Sequence, residues 1–181
     1  MTIQMAAFLI VALCISTITD FKGHRIPNAL TFPVILIGLA YHGATQGGGG
    51  LLFSLAGLAL GLGVMLLPYL AGYMGGGDVK LMMGVGACLG TDLLFCAFLY
   101  SCIAGGLYAL IVLAPRSGLF RRVLGNIWTA VRVHAVMGVK AGGFVQIEAD
   151  APRLCYGAAI AAGTILAMVV EAQRIGLIRG L

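Results

Sequence analysis

Charge is what this 181-residue chain has least of: Asp, Glu, Lys and Arg make up 9% of it, against 61% hydrophobic residues. A soluble domain carries about 25% charged residues, and a mean hydropathy of +1.06 excludes an ordinary water-exposed fold. The five cysteines contain no CxxC pair and no Cys/His cluster with zinc spacing, so they read as small core hydrophobes. No metal and no cofactor is expected. Ser16, Ser54 and Ser101 lack a partnered base, which disfavours a serine nucleophile. There is no internal repeat and no inverted pair of interrupted helices in matching halves, which weakens a transporter reading. The net charge of +5 has no soluble patch in which to gather, so nucleic acid is excluded as a partner.

What the chain does have is long apolar runs. A helix crossing the hydrocarbon core needs about 20 mostly apolar residues. Candidate spans lie at 3–19, 28–44, 51–73, a short one near 79–90, 92–114 and 154–172. Span one is not read as a removable signal peptide, because no basic residue precedes it and Asp20 follows it. The expected fold is all-α: a polytopic transmembrane bundle of about six spans, one integral-membrane domain over 1–181, in contact with lipid. Nine of the eleven basic residues fall in segments that this arrangement puts on one side. By the bias of basic loops that side is cytoplasmic, in a bacterial inner membrane. The one long polar connection, about 115–153, carries apolar residues at helical spacing around Trp128 and reads as a cytoplasmic amphipathic helix in the interface.

Two acids stand where uncharged stretches end. Residues 1–19 and 26–77 carry no charged side chain, and Asp20 and Asp78 close them. An acid at membrane depth costs roughly 2.5–3.5 kcal/mol on insertion scales, so it marks a functional site by default. Asp78 follows Gly75-Gly76-Gly77, a run expected to break the helix, recess the acid in a wet cavity and let a substrate backbone approach. Gly47–Gly50 reads as a flexible outer connection. Two carboxylates close enough to share a proton do not both ionise. One then serves as general base on a water while the other donates to a carbonyl oxygen. Residues alone leave three readings of the pair: this acid dyad, a proton-coupled carrier, and two interface anchors paired with Lys22, Arg25 and Lys80.

The flanking residues separate these readings. Thr19-Asp20 with Arg25-Ile26-Pro27-Asn28, and Gly75-Gly76-Gly77-Asp78-Val79-Lys80, resemble the two aspartate segments of the type IV prepilin peptidases, membrane aspartic proteases of the GxGD class. A weaker match, Pro152 to Gly163, is similar to the opening of that family's last helix. The resemblance implies that Asp20 and Asp78 are the catalytic pair, facing the cytoplasm. Gly75, Gly76, Gly77, Lys80, Pro27 and Asn28 are candidates for binding substrate or shaping the site. The substrate implied is a prepilin with a short basic leader and a hydrophobic helix, cut after a glycine, with pilus or secretion machinery as a further partner. Lys80 is expected beside Asp78, favouring its ionised form. No paired-cysteine region precedes Asp20, so N-methyltransferase activity is not expected. The short form looks like the peptidases of tight-adherence (Flp) pilus systems, with archaeal preflagellin peptidases as the alternative. Pro27 disfavours helix at 26, and Asn28 is expected to cap the helix that follows. Asp92 reads as a helix N-terminal residue on the opposite side, and His24 as a loop residue near Asp20.

Overall fold

The structure, a computed structural model, describes residues 2–23, 25–70, 74–113, 155–174 and 176. The expected interfacial helix around Trp128, together with His24, lies outside them. Four helices account for almost all of the described chain: α1 (Ile3–Gly23), α2 (Asn28–Leu70), α3 (Gly76–Leu113) and α4 (Tyr156–Arg174). All four are long and apolar enough to cross a membrane. The described residues are thus all-helical, without a strand, and their apolar helices mark a membrane protein. Residues Met1–Gly105 with Cys155–Leu181 form one compact unit, and Gly106–Leu154 a second. Of the second unit only the last turns of α3 are described.

Two of the helices are too long to be straight. The 43 residues of α2 would reach roughly 65 Å at 1.5 Å each, twice the hydrocarbon thickness. A single residue resolves this. Gly47 takes φ 62° and ψ −142°, a conformation open to glycine and strained for any other residue. The same device recurs in α3 at Gly90, with φ 75°. Both glycines reverse the chain, as contacts eight residues apart show: a Cβ on Gly50 would strike the His42 carbonyl, and one on Gly86 would meet Leu94 Cδ2 at 3.0 Å. A straight helix separates such residues by roughly 12 Å. The reversal is tighter than the sequence suggested. Of the Gly47–Gly50 run only Gly47 leaves the helical conformation, and the three that follow form the first turn of the second arm.

The first half of α3 is the centre of the bundle. From Leu81 to Gly90 every residue but Met83 is buried, and Leu81, Met82 and Val85 are fully so. Both halves of α2 flank it. Val34 meets Gly84 and Gly38 meets Ala87, in ascending order, whereas Gly57 meets Gly86 and Gly61 meets Met82, in descending order. The halves of α2 therefore run in opposite directions along one central segment. At Gly57 and Gly86 two backbones touch directly, an approach that only glycine on both sides permits. The outer surface is apolar instead of polar: Phe32, Leu52, Leu67 and Ile103 are all more than 49% exposed, as a lipid-facing surface requires.

Candidate active site

Asp20 sits in the last turn of α1, where the helix dipole disfavours an anion. Its own helix gives it no reason to be there. The reason lies 137 residues away: the Gly157 N–H, in the first turn of α4, donates to Asp20 Oδ2 at 2.9 Å. A helix N-terminus offers unsatisfied N–H groups and a positive dipole end, which suit a carboxylate. Cys155 Sγ adds a second tie, to the Asp20 carbonyl at 3.9 Å. Asp20 is only 6% exposed.

Asp78 is positioned by the start of its own helix. Its N–H donates to the Gly75 carbonyl at 3.1 Å, while its Oδ2 accepts from the Gly75 N–H at 3.1 Å. This is the acid's half of a capping box, with Asp78 at the third helical position and the Gly75 carbonyl accepting where a cap side chain would. Helix is interrupted at the glycine run, as expected, but the interruption falls at Met74 and Gly75 among the described residues; Gly76 and Gly77 are already the first two residues of α3. N–H groups of a first turn need no intrahelical partner, so glycine is cheaply accommodated there. Gly77 is required for space instead: a Cβ on it would lie 3.0 Å from Ile26 Cβ and 3.1 Å from the Ile26 carbonyl.

Ile26 thus stands between the two halves of the site. Its backbone packs on Gly77, and its Cδ1 would be 3.1 Å from a Cβ on Gly157. It is buried, in the extended stretch 25–27 that Pro27 enforces. The two carboxylates flank it within electrostatic reach of each other, and the Tyr156 phenol lies within reach of Asp78. Among the described residues neither acid forms an ion pair. In each, Oδ2 accepts one backbone N–H, while Oδ1 accepts from no described residue.

The remaining candidates shape this end of the bundle. The Pro27 carbonyl accepts from Leu30 and Thr31 N–H, so Pro27 occupies the cap position expected of Asn28. The Asn28 side chain is engaged elsewhere, accepting from Lys80 Nζ at 2.8 Å. Lys80 also lies 5.3 Å from the centre of the Phe32 ring. Its ammonium is therefore turned to α2 and not to Asp78, and the expected tuning of Asp78 by Lys80 is not what the geometry shows. Gly76 abuts Tyr69, 3.6 Å from where its Cβ would be. Asp92 lies beyond the Gly90 reversal with Thr91 Oγ1 at 3.4 Å, at the end of the bundle away from the acids, as expected.

Sequence reasoning missed Gly157, Tyr156 and Ile26 as members of the site. The signal for the first two was present in the weaker match at 152–163, and that for Ile26 in the Ile-Pro-Asn segment. What sequence could not supply was the pairing of α4 with Asp20. Ser16, Ser54 and Ser101 each donate to a backbone carbonyl within hydrogen-bonding distance, which leaves them as packing groups.

A search of curated proteins and a search of solved structures return no match. Residues 7–110 match the type IV leader peptidase family, a stretch that contains both aspartates, the glycine run and Ile26 but ends before Gly157. That match covers more than half of the chain, which therefore belongs to the type IV leader peptidase family and is a peptidase.

Proposed function

We propose that the protein is a membrane aspartic endopeptidase that removes the leader from type IV prepilins, of the Flp class, at the cytoplasmic face of a bacterial inner membrane. One observation carries the reading. Asp20 and Asp78 are both nearly buried, within electrostatic reach of each other, and unpaired with any cation among the described residues. An interface anchor would take the opposite form, with the carboxylate on Lys22, Arg25 or Lys80. In the mechanism that follows, one carboxylate takes a proton from a water as it attacks the scissile carbonyl carbon. The other acid gives its proton to the carbonyl oxygen. Collapse of the tetrahedral intermediate then breaks the C–N bond: the amine leaves with the proton that the base had taken, and one hydroxyl of the intermediate returns its proton to the other aspartate. The free Oδ1 atoms are the ones available to water and substrate.

The proposed topology has six crossings, with the reversals at Gly47 and Gly90 on the outer side. Lys22, Arg25 and Lys80 then flank the acids on the cytoplasmic side. A basic leader approaching the site would pass these cations, so its docking depends on the hydrophobic helix of the pilin lying against the apolar exterior. The test is processing of a co-expressed prepilin by Asp20→Asn and Asp78→Asn variants at wild-type protein level. Loss of cleavage in both is the expected result, and full processing by either overturns the proposal.

A further inference from the structure

The proposed mechanism uses Asp20 but does not explain how its carboxylate is held. Its own helix cannot do so, since α1 ends there and presents carbonyls, not N–H groups. The holding group comes from α4, and three observations meet on one residue. The Gly157 N–H is 2.9 Å from Asp20 Oδ2. A Cβ at 157 would sit 2.9 Å from that same oxygen and 3.3 Å from Asp20 Cβ, so any side chain would displace the carboxylate. On the other flank it would sit 3.1 Å from Ile26 Cδ1, and Ile26 in turn rests on Gly77, next to Asp78.

We propose that Gly157 is a positioning residue of the peptidase: its N–H fixes the orientation of Asp20, and its bare Cα lets Ile26 set the separation of the two acids. This inference rests on the reading of Asp20 and Asp78 as the catalytic pair. Gly157 itself touches neither substrate nor water in this scheme. It acts by holding Oδ2 of Asp20 while Oδ1 has no hydrogen bond among the described residues. A misplacement of about 1 Å in a catalytic group costs on the order of a hundredfold in rate, which is the scale expected here.

Two variants of the full-length protein separate the hydrogen bond from the space. Replacing Gly157 by glycolic acid exchanges the N–H for an ester oxygen and adds no bulk. It should lower kcat for prepilin cleavage roughly tenfold, with KM within about twofold of wild type and protein yield unchanged. Gly157→Ala keeps the N–H but crowds Asp20 and Ile26, and should lower kcat on the order of a hundredfold, again with little change in KM. Adding Ile26→Val to Gly157→Ala removes Cδ1 and should recover part of that loss, which a general weakening of α4 would not allow. Wild-type kcat in the ester variant, with Asp20→Asn and Asp78→Asn inactive, overturns the inference and leaves the proposed function standing. Normal cleavage by either asparagine variant overturns the proposed function and takes the inference with it.

Discussion

The two ends of the bundle bury polar groups in opposite ways. At the end away from the acids, side-chain donors are matched to carbonyls: His42 Nε2 to Cys88 O at 3.0 Å, Ser54 Oγ to Ala87 O at 2.6 Å, and Cys88 Sγ to Val34 O at 3.8 Å. A carbonyl only accepts, so His42 carries its proton on Nε2. Its Nδ1 is buried with no partner among the described residues, a bare lone pair on a ring wedged between Tyr41 and Phe53. At the other end the hydroxyls of Ser16 and Thr31 also donate to carbonyls of their own helices, but the two buried carboxylates only accept, each holding one backbone N–H on Oδ2 and leaving Oδ1 without a partner among the described residues. Donors that are used up glue helices together, whereas acceptors left half-filled are available for chemistry. Burial of a polar residue in a membrane chain therefore does not by itself mark a site, and neither does one unpartnered oxygen, since Thr164 Oγ1 is buried without a partner among the described residues; two carboxylates gathered at one end are what set it apart.

Asp20→Asn and Asp78→Asn bear on the reactive end most directly. Each should reduce prepilin cleavage roughly a thousandfold or more with the fold intact, measured as processed pilin per unit of peptidase. The opposite behaviour is expected where the backbones touch. Gly57→Val has no room against Gly86, and should cost about 1–3 kcal/mol or more of stability, read as a lower thermal midpoint and lower yield in detergent. Activity per folded molecule should survive. His42→Leu removes the bond to Cys88 and should cost about 1 kcal/mol, in line with interhelical bonds in membranes, while kcat stays at the wild-type value. A fall in kcat from His42→Leu at constant protein level would break the division between the ends. The mildest change is Lys80→Met: a half-exposed ammonium shared between Asn28 and Phe32 is lost, and cleavage should fall only a few-fold. A loss comparable to that of Asp78→Asn would mean that Lys80 acts on the acid after all.

Much of the end that carries the two acids was legible in the sequence because the cost of a charge there is local. An acid closing a 52-residue uncharged stretch is conspicuous without any structure. The apolar spans were legible for the same reason, since hydropathy is summed residue by residue. What sequence could not show were matters of partnership. Asn28 resembles a helix cap, but Pro27 already supplies the carbonyl that begins α2, and this frees the Asn28 amide for Lys80. Lys80 is two residues from Asp78, yet residues that close in a helix point to different sides, and its ammonium turns to α2. Gly157 carries no charge and no side chain. Its role exists only because α4 begins where α1 ends.

The reversal at Gly47 has a consequence for how the chain enters a bilayer. A hairpin inserting from one side must drag its tip through the hydrocarbon, and a charged or bulky tip makes that passage costly. Here the tip is a single residue in a run of glycines, and no charged side chain occurs from 26 to 77. In the proposed six-crossing topology the two arms of α2 are delivered together, with no charged side chain to export and with Thr45 and Gln46 as the polar side chains next to the tip. The residue that lets α2 fold back on itself also keeps the tip of the proposed hairpin small and uncharged.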